Sequence, residues 1–122
     1  MTTYFFDTYA LYETITETPI YLEYAKNVKM VTTRMNLMEL YYSLLKKYPA
    51  NMIEAYYALL LKFCVEIDDE VIKKACLFRH ANRSKGFSYI DCLGYVIART
   101  MNMTFLTGDR AFKGMDGVEF VK

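Results

Sequence analysis

Apolar residues along this chain fall into two alternating rhythms. Thr3-Tyr4-Phe5-Phe6 is a short unbroken run that predicts a buried strand ending at Asp7. Thr8 to Glu13 then turns helical, with Asp7 or Thr8 able to cap it. Pro19 suits the first turn of a second helix reaching about Lys26, where Ile20, Tyr21, Tyr24 and Ala25 share an apolar face and Asn27 ends the piece. Val28 to Thr32 reads as a strand. Thr33 can cap a long helix through Lys47, with Leu37, Leu40, Tyr41, Leu44 and Leu45 on its apolar side and Lys46-Lys47 complementing its negative end.

Tyr48-Pro49 breaks the pattern, and Asn51 to Lys62 predicts a strongly apolar helix. Phe63 to Ile67 reads as a strand, and Asp68 or Asp69 caps a helix from Glu70 to about Asn82. Arg83-Ser84-Lys85-Gly86-Phe87 is a basic loop. Ser88 opens a helix to about Arg99, Met103 to Leu106 forms a strand, Thr107-Gly108-Asp109 is its terminal loop, and Val118 to Val121 is a last, edge strand. Strands that alternate with helices predict an α/β fold around a mainly parallel sheet. In such sheets ligands sit beyond the carboxyl ends of the strands. Asp7 and Asp109 each stand just past one such end.

Composition narrows the class. A chain of 122 residues with 54% apolar side chains fits one domain over residues 1–122 with a real core. Its longest apolar stretch, Ala55 to Leu61, is far short of a membrane span. No basic residue precedes the first apolar run, so a secretory signal is not expected and a soluble cytoplasmic protein is. Cys64, Cys76 and Cys92 form no CxxC pair, which argues against a disulfide framework or a zinc site. Charge is uneven: residues 1–69 carry 6 basic and 9 acidic side chains, residues 70–122 carry 9 and 5. A mildly basic shell around an acidic centre suits a polyanionic substrate.

Four acids are the candidate chemistry. Asp7 and Asp109 follow strands; Glu39 lies about one turn into the helix after Thr33; Asp91 completes Ser88-Tyr89-Ile90-Asp91, the spacing of a capping box. Each has a structural explanation of its own: a helix cap for Asp7, a favourable dipole position for Glu39, the capping box for Asp91, an acidic turn for Asp109. If they meet, they need neutralising, because two carboxylates about 4 Å apart repel by roughly 4 kcal/mol at an effective dielectric near 20. Protons or divalent cations do this. Thr107, two residues before Asp109, is placed to orient a carboxylate. Arg110 and Lys113 are the first candidates for holding a phosphate backbone, with Arg79, Arg83 and Lys85 behind them. The one histidine, His80, lies on a different helix from any of the acids.

Other phosphate chemistries fit poorly. No Gly-rich Lys-Ser/Thr loop exists, and Asp7-Thr8-Tyr9 denies the Asp-x-Asp of a haloacid-dehalogenase phosphatase. Asp68-Asp69 lacks the partner acid and lysine of a phosphoacceptor pocket. A protein-binding module, with a groove at the tyrosine-rich segment Pro19–Tyr24, remains as a reading from a different class.

Taken in order, Phe6-Asp7-Thr8-Tyr9-Ala10-Leu11, Asn36-Leu37-Met38-Glu39-Leu40, Ser88-Tyr89-Ile90-Asp91-Cys92-Leu93 and Leu106-Thr107-Gly108-Asp109-Arg110-Ala111-Phe112 resemble the four acid motifs of the PIN-domain family, especially its VapC-type toxin ribonucleases. The resemblance runs from about residue 3 to residue 121. It departs at Ala111, where many relatives carry another acid; Asp116 is the nearest substitute in sequence. It implies a three-layer α/β/α sandwich with a mainly parallel five-stranded sheet of order 3-2-1-4-5. It also implies Mg²⁺- or Mn²⁺-dependent endonucleolytic cleavage of RNA, with Asp7, Asp91 and Asp109 on the metal and Glu39 bound directly or through water. A homodimer and a small antitoxin protein, its tail in a groove near the acids, complete the expectation. A housekeeping RNA-processing nuclease is the alternative within the same family.

Overall fold

A computed structural model describes residues 1–122. Four parallel strands form one sheet: β1 (Thr3–Phe6), β2 (Lys29–Val31), β3 (Thr104–Thr107) and β4 (Val118–Phe120), in the order β2-β1-β3-β4. Phe5 lies opposite Val31 on one side and Phe105 on the other, and Leu106 opposite Glu119. Six α-helices make the connections that parallel strands require: α1 (Thr8–Ile15), α2 (Pro19–Asn27), α3 (Arg34–Leu44), α4 (Ala50–Leu61), α5 (Asp69–Ala81) and α6 (Tyr89–Thr100).

Side-chain alternation splits the core in two. Phe5 and Phe105 stack on one face of the sheet with residues of α5 and α6; Phe6 and Leu106 point to the other, among residues of α1 to α4. All four are fully buried, which is why the central strands read as unbroken apolar runs. Helix α6 approaches the sheet closely at Gly94, where a Cβ would stand 2.7 Å from the Phe5 ring.

The five-stranded expectation is corrected at Phe63–Ile67. This segment makes only a single bridge, Thr32 with Cys64, so the sheet has four strands. The order 3-2-1-4-5 survives with the third strand reduced to that bridge. The reason lies in where the backbone donors go. The N–H groups of Phe63 and Cys64 are taken by the carbonyls of Leu60 and Leu61 in the closing turn of α4. Asp68 already caps α5 through Val71 N–H. Only Val65 N–H is left to reach Thr32 O, at 3.0 Å.

Helix α3 also stops short of Lys47. Turns at Lys47 and Tyr48 close on Leu44 O, and Pro49 follows, which disfavours helical backbone in the residue before it. Leu45 therefore faces solvent, while Leu37, Leu40 and Leu44 are buried. The tyrosines of α2 turn inward rather than forming a partner groove. Tyr21 is fully buried with its hydroxyl donating to Val121 O, and Tyr24 donates to Glu119 on β4. They anchor the edge strand. No helix is long and apolar enough to cross a membrane.

Candidate functional site

Each acid is positioned by local backbone chemistry. Asp7 is the N-cap of α1: its Oδ1 accepts Ala10 N–H at 2.8 Å, and its Oδ2 accepts the Thr107 hydroxyl. Asp91 closes the capping box of α6, its Oδ2 accepting Ser88 N–H at 2.9 Å while Ser88 Oγ accepts Asp91 N–H at 3.0 Å. Asp109 caps the 3-10 turn Arg110–Phe112 through Ala111 N–H at 3.0 Å. Glu39 projects from α3, and its Oε1 accepts the Thr8 hydroxyl at 2.5 Å.

All four line one open cavity of about 1010 Å³ beyond the carboxyl ends of β1 and β3. Segments separated by up to 102 positions in the chain, Asp7 to Asp109, thus share one wall. Three oxygens, Oε2 of Glu39, Oδ1 of Asp91 and Oδ2 of Asp109, accept no hydrogen bond from the protein.

Burial and mutual repulsion raise the carboxyl pKa values. Asp7, 5% exposed, is pushed up to about 7, first by burial and then by the charges of Asp91 and Asp109, against the hydrogen bonds from Thr107 and Ala10. Glu39 is raised by burial and by Asp91, and Asp91 by burial and by Asp109. The lowering influences named for all three are hydrogen bonds. An all-oxygen donor set whose members raise each other's pKa fits a hard divalent cation in its chemistry. Its spacing does not close around one: no three His, Cys, Asp or Glu side chains stand close enough together to hold a single ion as they are placed. Asp116, the possible stand-in for the acid replaced by Ala111, is exposed and absent from the cavity wall; its carbonyl accepts the Tyr95 hydroxyl.

Polar residues behind the acids hold them in place. Thr33 Oγ1 donates to Asn36 Oδ1 at 2.6 Å, Asn36 Nδ2 donates to Thr8 Oγ1 at 3.1 Å, and Thr8 donates to Glu39. Thr33 and Asn36 are buried. Asn36 escapes a sequence reading focused on charge; its position three residues before Glu39 and three after the cap Thr33 was the available signal. Tyr9 lies across Gly108, where a Cβ would come within 2.1 Å of its ring.

The basic residues divide. Arg110 is exposed and lines the cavity. Lys113 does not; its ammonium sits 5.4 Å from the Phe120 ring centroid. Arg79 is turned to Phe87 O and the Tyr89 ring, Arg83 to His80 O, and Lys85 to Ala111 O, which brings the basic loop beside the Asp109 turn but not into the cavity. Lys46, Lys47 and Lys122 do line it. The signal for the first two was their spacing of seven and eight from Glu39, which returns to the same side of a helix; nothing in the sequence points to Lys122.

No curated protein matches the chain in sequence. Among solved structures, the chain resembles VapBC2 from Rickettsia felis bound to a promoter DNA fragment (TM-score 0.77, 20% identity, 99% of this chain and 100% of that one). It resembles a toxin-antitoxin complex from Klebsiella pneumoniae (0.75, 15%, 94% of each) and VapBC-5 from Mycobacterium tuberculosis (0.64, 16%, 100% and 99%). At these identities the likeness is one of fold. The PIN domain family matches residues 4–118, from within β1 to the first residue of β4 and across all four acids. The chain belongs to the PIN-domain family.

Proposed function

We propose that this protein is a metal-dependent endoribonuclease that cuts single-stranded or looped RNA, and that it is the toxin of a toxin-antitoxin pair. One observation carries the reading: carboxylates from four separate segments line one cavity and turn unbonded oxygens to it. Asp7, Asp91 and Asp109 would hold Mg²⁺ or Mn²⁺ directly, and Glu39 directly or through water. When bound, such an ion supplies Lewis acidity to water and to phosphate oxygens.

The chain's own residues prepare the site. Thr107 fixes the Asp7 carboxyl, Ser88 fixes Asp91, and Thr8 with Asn36 behind it fixes Glu39. Arg110, on the rim, meets the phosphate backbone, and Lys113 takes a more distant part of it. Exposed bases that can be splayed and stacked favour unpaired RNA as substrate. The toxin–antitoxin structures that share the fold support a small antitoxin protein as partner, a homodimeric assembly and a cytoplasmic place of action.

The rival reading, a protein-binding module with weak or no nuclease activity, loses its proposed groove because Tyr21 and Tyr24 are committed to the edge strand. Titration calorimetry with Mn²⁺ and an RNA-cleavage assay test the proposal. Asp7→Asn and Asp109→Asn should each lose at least about a hundredfold in metal-dependent cleavage with the fold intact. Variants as active as the parent refute it. A small reading frame immediately upstream distinguishes a toxin from a processing nuclease.

A further inference from the structure

The cavity continues past the acids along a wall of different chemistry. Tyr12 on α1, Tyr42 on α3, and Lys46 and Lys47 in the turn that follows line it, with Lys122 and Tyr9 opposite Arg110 in sequence and close in space to the acids. Tyr42 lies three residues beyond Glu39, about 4.5 Å along the helix axis, and is 70% exposed. Lys47 Nζ stands 5.8 Å from the Tyr12 ring centroid, and Lys122 Nζ 5.7 Å from that of Tyr9. Glu13 is the one acid on the wall beyond the four already described.

Rings and ammonium groups therefore share a path that leads away from the carboxylates. An exposed tyrosine face stacks on a base that has no pairing partner, and lysines on flexible stems follow phosphates without reading sequence. A double helix keeps its bases stacked on each other and offers such rings nothing. The path's charge opposes that of the acids, so a polyanion is drawn to one end of the cavity while its reacting phosphate needs a cation at the other.

We infer that this wall is a binding track for the unpaired RNA strand on one side of the cut, with Tyr42 and Tyr12 stacking bases and Lys46, Lys47 and Lys122 taking phosphates. The inference deepens the nuclease reading and takes from it only the identity of the polymer.

Fluorescence anisotropy with a labelled oligouridine in EDTA, where metal-dependent turnover is blocked, tests the track apart from cleavage. Tyr42→Ala should weaken oligouridine binding about tenfold, Tyr42→Phe should retain it, and binding of an RNA duplex of equal length should be unmoved by either. The double variant Lys46→Ala/Lys47→Ala should flatten the dependence of log affinity on log salt by about 1.4, near 0.7 for each phosphate released from a single strand. Both sites are exposed, so unchanged melting temperatures confirm that the variants fold. Unaltered affinity and salt slope in every variant overturn the track and leave the wall to a protein partner. So does a loss with Tyr42→Ala that is as large on the duplex as on the strand. Oligouridine binding that depends on these residues in a chain that cuts no RNA with Mn²⁺ upholds the track and ends the nuclease reading. Cleavage that Asp109→Asn abolishes, with track variants binding normally, does the reverse.

Discussion

The Thr107 hydroxyl joins Asp7 to Asp109: it donates to Asp7 Oδ2 and accepts the backbone N–H of Asp109 at 3.0 Å. One buried oxygen thus ties the end of β3 to the end of β1 and sets two acids relative to each other. Thr107→Val keeps the volume and removes both bonds. It leaves a buried carboxylate oxygen short of its donor, which costs about 1–3 kcal/mol. Urea denaturation at pH 8 in EDTA should show that loss, and Thr107→Ser should recover most of it. A valine variant as stable as the parent would mean that the hydroxyl contributes nothing.

Asp7 makes stability fall as pH rises. Its folded-state pKa is about 7, against roughly 3.9 for an unfolded aspartate. Between those values the native state binds more protons than the unfolded state, so the contribution is fully present below about pH 4 and is lost as pH climbs through about 7. Glu39 and Asp91 are raised too and carry the same sign. The Asp7 contribution is on the order of a few kcal/mol. In EDTA, Asp7→Asn should gain stability over the parent from pH 5 to pH 8, and millimolar Mg²⁺ at pH 8 should raise the parent's melting temperature by binding only the native state. A difference between the two proteins that does not vary with pH would sink the assignment of that proton to Asp7.

Gly108 is small because Tyr9 is there. A Cβ would stand 2.1 Å from Tyr9 Cε1, inside contact distance with a ring that belongs to the cavity wall. Gly108→Ala should therefore cost about 1–3 kcal/mol as an overpacked site. The same change in a Tyr9→Ala background should cost much less, because the clash has gone. Thermal or urea unfolding of the four proteins of this cycle measures the coupling, and additive effects would count against the contact.

Much of this arrangement was visible in the amino-acid pattern. The runs around Phe5 and Phe105 name the central strands, since residues buried on both faces leave no alternation to confuse the reading. The caps Asp7, Thr33, Asp68 and Ser88 all start helices where their side chains suggest, because a capping bond spans only two or three residues. What long-range packing decides was hidden. Whether Phe63–Ile67 pairs along its length depends on how α4 spends its last carbonyls. Whether the α2 tyrosines face a partner or β4 depends on a glutamate at position 119. Lys122 reaches the ring of Tyr9, 113 residues earlier, and no period in the sequence records that approach. The acids were legible as candidates by their place after strands; the lysines and tyrosines that extend their cavity were not.

Asn36 links the cap of α3 to the one acid that is not itself a cap. It takes the Thr33 hydroxyl on its oxygen and gives an N–H to Thr8, which in turn donates to Glu39. With only 2% of its surface exposed, it cannot trade these bonds for water in the folded state. Asn36→Ala should lower stability by about 1–3 kcal/mol. If Glu39 helps to hold a cation, freeing it should also weaken Mn²⁺ binding by about 10–100-fold, the usual cost of losing an outer support of a metal ligand. Asn36→Gln restores the chemistry with a longer reach and should recover less than all of either effect. Calorimetric titration with Mn²⁺ beside urea unfolding separates the two roles: destabilisation with unchanged Mn²⁺ affinity would reduce Asn36 to a strut of the fold and remove Glu39 from the ligand set.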